Sequence, residues 1–431
     1  LRLGEQRQNR IMMGVALTGL AQVHYKLGEM ADAQRAANQS VLMLDTLPDL
    51  WERINALYTR AIVLTILTQY GAARQDLELV ISLSARATED AVIEIRSLST
   101  RMLAITYCLN GQPQRAAGLA ETAYQDALTI NAPFPQVNAL AALAMAAFYS
   151  FDYAASSRWL DEGMKISQAH QFWHLLGYLH VLRSLIHLSR GYLDQCWKEL
   201  QIVHSIAVEH RCEDLLPSEW LIRGQIHRFL RNFPAALECL RQGESLSFDS
   251  QNRLELLAQQ AAILGMSGEY EQSDLLFTEV LRQAKQAGLG IIYYTALSAR
   301  LGALAPILPA DQLKAEIEEL PGLMEDCKIP EVHEFLHFGL ALAYLKVEKL
   351  DLALEHAASF QQYASNCEIP WLKILNFTLH TIMTRATGQT IDEGMRQATL
   401  ATLQFLDAQI QHPDLRPDFE TFRGVVLEQL S

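Results

Sequence analysis

The feature that most constrains this chain is a small residue that recurs at an interval near 40. Gly28, Gly111, Gly191 and Gly268 each stand five positions before a small residue, at Ala33, Ala116, Cys196 and Ser273. Extending that register places the same slot at Ala73, Ala155, Ala236 and Ala353, with Glu393 in the last unit. Successive steps from Ala33 are 40, 43, 39, 41, 40, 37, 80 and 40 residues, so the step of 80 hides one degenerate unit and the chain divides into about ten. A period of this size means that each unit is one supersecondary element, able to bury its apolar face only against its neighbours. The length of 431 residues therefore does not by itself count globular domains.

The residues around the slot predict what each unit is. Two antiparallel helices approach closely only where small side chains stand at their crossing, and a glycine at the turn supplies the left-handed backbone that ends the first helix. Four positions after the slot, large residues recur at Trp159, Leu200, Leu240 and Phe277, suited to filling the space toward the next unit. Upstream, Trp220, Gly224 and His227 stand at W-x3-G-x2-H, while Leu103, Ala104 and Tyr107, then Leu340, Ala341 and Tyr344, stand at L-A-x2-Y. A second punctuation keeps the same step: Cys327-Lys-Ile-Pro330 and Cys367-Glu-Ile-Pro370 are 40 apart, and Pro133 occupies the equivalent place in an earlier unit. Proline is well tolerated in a first helical turn and helps to stop the preceding helix.

These positions are where the tetratricopeptide repeat carries W-x2-L-G-x2-Y followed by A-x3-F, and nearly the whole chain resembles a run of such repeats, although no single copy matches the full pattern. The resemblance implies an all-α fold: a right-handed superhelical solenoid of about ten TPR-like helix-turn-helix repeats. Units near 40 residues exceed the common 34 by enough to lengthen each helix by roughly a turn. In that respect they look like the helical sensor arms of MalT-like signal-transduction NTPases. Neither a P-loop GxxxxGK[ST] nor a helix-turn-helix DNA-binding module stands in this chain.

The expected organisation runs as follows. Residues 1–301 hold repeats one to seven and the start of the eighth. Residues 302–330 form a degenerate part of the eighth, interrupted by Pro306, Pro309 and Pro321 and acidic from Glu316 to Glu319. Repeats nine and ten occupy 331–411, and 412–431 is a C-terminal capping helix of the kind a solenoid needs over its last apolar face. The chain begins with Leu1, which hints at a piece of a longer polypeptide or a processed one.

Composition narrows the partners. Half the residues are hydrophobic, ample for a continuous core. Lys and Arg total 35 against 49 Asp and Glu, a net charge of −14, and no basic run concentrates the cations, so direct binding to nucleic acid or to an anionic membrane is disfavoured. The uncharged stretch Thr129 to Phe151 is broken by Pro133, Pro135, Gln136 and Asn138 and does not predict a membrane span. The six cysteines are scattered with no CxxC pair, which points to reduced thiols and a cytoplasmic location.

One segment matches a catalytic pattern. His333-Glu334-Phe335-Leu336-His337 reads H-E-x-x-H, a spacing that puts two imidazoles on one helix face beside a carboxylate able to activate water. The repeat register opposes it, because His337 takes the packing slot held by Trp220 in the sixth unit. The match is read as fortuitous and the chain as a non-enzyme without a cofactor. His170 and His174, then His180 and His187, show no third or fourth convergent ligand.

In the tetratricopeptide resemblance the first helix of each unit lines the concave surface. Anchored at Gly28, that frame selects Val15, Thr18, Gln22 and Tyr25, then Asn55, Tyr58, Ile62 and Thr65, then Leu98, Arg101, Ile105 and Cys108. The following units give Val137, Leu140, Ala144 and Ala147, then Tyr178, Val181, Leu185 and Leu188. Unit six turns polar with Ser218, Leu221, Gln225 and Arg228, and unit nine offers Phe335, Phe338, Leu342 and Leu345. Two readings fit the apolar run: burial against neighbouring helices, or a groove that takes an amphipathic helix or extended peptide, with Arg101, Arg228 and Arg385 at its polar margins. The candidate binding residues are Tyr25, Tyr58, Arg101, Tyr178, Arg228, Phe335, Phe338 and Arg385. The expected role is a protein-interaction scaffold or sensor arm, whose partner is a protein, a peptide or another domain of the same polypeptide. The alternative is the small-molecule-sensing arm of a MalT-like regulator.

Overall fold

Apolar residues spaced three and four apart, between turns rich in glycine and proline, leave this chain only helices to form. The computed structural model describes residues 9–45, 50–247, 250–326 and 330–430, and these are all-α. Repeat one pairs Arg10–Lys26 with Met30–Leu44, repeat two Leu50–Ile66 with Tyr70–Ser84, and repeat three Asp90–Leu109 with Pro113–Thr129. Repeat four pairs Pro133–Tyr149 with Tyr153–His170, repeat five Trp173–Ser189 with Leu193–Glu209, and repeat six Leu216–Phe229 with Phe233–Leu246. Repeats seven and eight are Ser250–Met266 with Tyr270–Ala287 and Gly290–Leu304 with Ala310–Asp326. Repeats nine and ten are Pro330–Lys346 with Leu350–Asn366 and Pro370–Thr387 with Glu393–Gln409, and a last helix, Arg416–Leu430, follows. Among the described residues this is an all-α helical-repeat fold of ten pairs and a closing helix.

The turn inside a repeat follows one rule. A residue with positive φ stands five positions before a buried slot: Gly28, Gly111, Gly191 and Gly268, and in the same place Thr68, Phe151, Arg231 and Glu348. The slots are Ala33, Ala73, Ala116, Ser156, Cys196, Ala236, Ser273 and Ala353, all essentially without exposure. Repeat four therefore uses Ser156 where the sequence register pointed to Ala155, which keeps partial exposure. Ser156 and Ser273 each donate their hydroxyl to the carbonyl twelve residues earlier, Ala144 at 2.7 Å and Ala261 at 2.8 Å, so a serine at the crossing is satisfied by the facing helix. In the degenerate eighth repeat Leu313 fills the slot, and in repeat ten Glu393 is exposed because it is the first residue of its helix. Cys327 to Ile329 lie outside the described residues.

The chain forms two compact units. One is Leu1–Leu179 with the short segments Phe248–Gln251 and Gln286–Gly288; the other is His180–Ser247, Asn252–Lys285 and Leu289–Ser431. In the first, the core runs through Ala61, Leu77, Leu103, Tyr107, Leu140 and Ala146. Arginines on first helices pair with carboxylates on second helices: Arg60 holds Asp76 at 2.6 and 2.7 Å, and Arg96 holds Asp126 at 2.7 Å through both nitrogens.

In the second unit the end of the chain returns to repeats five and six. The Trp371 indole N–H donates to the carbonyl of Leu188 at 2.9 Å, and its ring stacks on Phe229 at 4.7 Å. Asp194 accepts from the backbone N–H groups of Gln411 and His412, at 2.9 and 3.0 Å. Asp418 of the last helix meets His227 Nδ1 at 3.0 Å and accepts from the Asn232 amide at 2.9 Å. That helix also buries Phe419, Phe422, Val426 and Leu430, as a closing helix must.

Candidate binding site

The first unit gathers four of the sequence-predicted residues on one wall. Tyr25, Tyr58, Arg101 and Tyr178 come from the first helices of repeats one, two, three and five, and each keeps partial exposure. The charge of Arg101 is felt at Tyr58 together with Tyr25 and Glu94, and Tyr58 and Tyr178 are the groups felt at Arg101. The Tyr178 hydroxyl reaches the Met145 sulfur at 3.9 Å. Behind this wall Tyr58, Met102 and Ile105 pack on the buried cluster of Leu103, Tyr107 and Leu140. The first-helix row is therefore a lining over a core, half wetted and half held.

Electrostatics single out Arg101. Unlike Arg60 and Arg96 it has no carboxylate partner among the described residues, and its Nε is buried with no hydrogen-bond acceptor. Some of its surface remains open, yet protein surrounds it closely enough that desolvation pulls its guanidinium pKa below the ordinary range, while Tyr178 and Tyr58 act in the opposite sense. Desolvation also raises the Tyr58 phenol to about 12, against the opposing pull of Arg101, so Tyr58 stays neutral beside the cation. Among the described residues this cation has two phenols beside it and no counter-charge.

The other predicted residues divide. Arg228, in the second unit, resembles Arg101: its Nε is buried without an acceptor, burial pushes its pKa down to about 10, and its guanidinium lies 4.7 Å from the Phe229 ring. Phe335 is half-buried, 6.5 Å from Phe360. Phe338 is a core residue, 5.5 Å from Phe360 and tight against the backbone at Gly302. Arg385 stands exposed in the last turn of Pro370–Thr387, where it complements the helix dipole and lines no wall. Of the expected apolar groove, Val137, Leu140 and Ala144 are buried, because Pro133–Tyr149 is packed on nearly every side. Thr18 is likewise internal, bonded to Ser40 at 2.6 Å.

The H-E-x-x-H segment gathers no catalytic set among the described side chains. His337 Nδ1 lies 2.7 Å from His356 Nδ1 on the second helix of its own repeat, and His356 stacks on Tyr344 at 5.2 Å. The side chains of His333 and Glu334 lie outside the described residues. His170 stacks on Phe172, and His180 pairs with Glu199. Among the described residues one cluster has metal-ligand spacing, His24, Glu29 and Asp32, and there Glu29 is bonded to His24 and Asp32 to Arg35.

Sequence reasoning missed a cavity of about 660 Å³ in the second unit. Lys373, Asn376, Asp392, Met395 and Phe405 of repeat ten line it, and Arg190 reaches it from the turn of repeat five. No periodic signal could have joined residues so far apart in the chain.

No protein-family model matches the chain, and no curated protein does. Three solved structures are similar over nearly the full length. The crystal structure of yeast Tom70 has a TM-score of 0.39 and 11% identity, covering 96% of each chain. The P58(IPK) TPR domain has a TM-score of 0.21 and 15% identity over 92% of this chain and 99% of that one. A circular tandem repeat protein of novel repeat topology has 0.18 and 15%, over 98% of both. Among the described residues no helix is long and apolar enough to cross a membrane.

Proposed function

We propose that the chain is a protein-interaction scaffold or sensor arm that holds a partner's peptide segment on the first-helix wall of its first unit. The reading rests on one observation: Arg101 stands desolvated beside Tyr58 and Tyr178 with no carboxylate partner among the described residues. A partly desolvated cation without a carboxylate costs a fold stability, and a ligand carboxylate restores the missing partner. The rings of Tyr25, Tyr58 and Tyr178 offer stacking surface to the stem of an Asp or Glu side chain and to the peptide around it. The partner is a protein, a peptide or another domain of the same polypeptide, and the site performs no bond chemistry.

Selection from a random peptide library tests this. Peptides enriched on the parent protein should carry an Asp or Glu at a fixed position and should lose binding to Arg101→Gln. Enrichment without any acidic residue, or equal binding to Arg101→Gln, would remove the basis of the reading.

A further inference from the structure

We propose that the cavity of the second unit binds a free peptide of two or three residues, its carboxylate toward Lys373 and its amino group toward Asp392. The volume of about 660 Å³ falls within the range of small-ligand sites, roughly 300–1,000 Å³. It lies in different repeats from Arg101, and the inference does not rest on the reading of that site.

Two ends of the cavity carry opposite charge. Lys373, in the first turn of Pro370–Thr387, is half-buried and makes no ion pair among the described residues. Arg190 also lines the cavity, over the Tyr192 ring at 5.1 Å, and meets Glu368 at a loose 3.7 Å. Glu368 is 78% exposed, so water rather than Arg190 answers most of its charge. The other end is Asp392, which caps Glu393–Gln409 by accepting from Met395 N at 3.0 Å through Oδ2 and keeps its second oxygen available.

The distance between the ends fixes the length of the ligand. Asn376 faces Met395, and His380 faces the backbone N–H of Asp392. Asp392 therefore lies level with residue 380, seven residues beyond Lys373, which is about 10 Å at roughly 1.5 Å of rise per residue. An extended chain advances roughly 3.3–3.6 Å per residue, so two or three residues bridge the charges.

The rest of the lining is largely apolar or already satisfied. Pro370, Met395, Ala398 and Phe405 are apolar, and the Thr399 and Thr402 hydroxyls are already bonded to the carbonyls of Met395 and Ala398, each at 2.8 Å. The exception is Asn376, buried in the lining, whose amide has only the Met395 sulfur at 3.7 Å. An amide so poorly matched inside a protein is poised for a peptide group.

Titration calorimetry with the tripeptide Ala-Leu-Ala tests the assignment, with circular dichroism confirming parent-like helicity in each variant. The parent should bind it, and acetylating its amino group or amidating its carboxylate should each weaken binding about tenfold or more. Lys373→Met should no longer distinguish the amidated form. Asp392→Asn, which keeps a helix-capping oxygen, should no longer distinguish the acetylated one. Arg101→Gln should bind as the parent does, so failure at one site is separable from failure at the other. No binding of Ala-Leu-Ala at millimolar concentration, or equal binding of the blocked forms, overturns the proposal.

Discussion

At Arg101 a charge is held where water reaches poorly and, among the described residues, no acid pairs with it, and the position can be separated from mere packing by its stability. Replacing it with an apolar chain of similar length removes the desolvation cost, so Arg101→Met should raise the unfolding free energy read from urea titration by about 1 kcal/mol, while it abolishes peptide binding. A drop in stability would mean that the guanidinium has a partner that holds the fold. Glycines at the turns make a second comparison. Gly28 and Gly191 both have positive φ, near 78° and 75°, so alanine at either is strained by roughly 1–2 kcal/mol. At Gly28 a Cβ meets nothing, whereas at Gly191 it would stand 2.9 Å from Pro370 and 3.0 Å from Leu406. Thermal denaturation should therefore show Gly191→Ala to be the costlier of the two; equal losses would mean that repeat ten does not press on that turn. The glycine turns were legible because only glycine takes positive φ without strain, and Phe151 was missed because its side chain hides the same backbone.

The element that repeats is a helix pair, and its legibility followed from that rule. The interval of five between turn and slot holds at Thr68, Phe151, Arg231 and Glu348 as it does at the glycines, because it counts backbone geometry rather than residue type. What the period could not show was which side of a first helix stays wet. The concave frame placed Tyr58 and Arg101 on an open wall, but it also placed Leu140 there, which Pro133–Tyr149 buries by packing on both sides. Within repeat nine the facing imidazoles of His337 and His356 carry a pH signature. Burial first, and His337 second, hold the His356 pKa below the ordinary value, with Glu355 opposing, and burial does the same at His187. The unfolded chain then takes up protons first as pH falls. The stability these neutral rings contribute is complete above about pH 6.5 and is lost below it. Urea midpoints should fall between pH 7.5 and 5.5, and His356→Gln should shrink that fall; an unchanged fall would place its cause elsewhere.

Across the whole molecule, nearest-neighbour packing accounts for the two compact units, and contacts between distant repeats add what a period cannot encode. In the second unit Trp371 reaches Leu188 across 183 residues, and Asp418 reaches His227 across 191. Trp371→Ala removes the stack on Phe229 and the indole bond to the Leu188 carbonyl, which keeps only the Gly191 N–H, and chemical denaturation should register a loss of about 3–5 kcal/mol. A loss below 1 kcal/mol would mean that this return contact is incidental. The chain's net charge of −14 sets the background for the proposal that Arg101, without a carboxylate partner among the described residues, takes a partner's acid. The most direct measurement is a double-mutant cycle between Arg101→Gln and Asp→Asn, or Glu→Gln, at the acidic position of the selected peptide. The peptide change should weaken binding to the parent by roughly 30-fold, about 2 kcal/mol, and have no effect on Arg101→Gln. Additive losses would show that the carboxylate and the guanidinium never meet, and would contradict the proposed function.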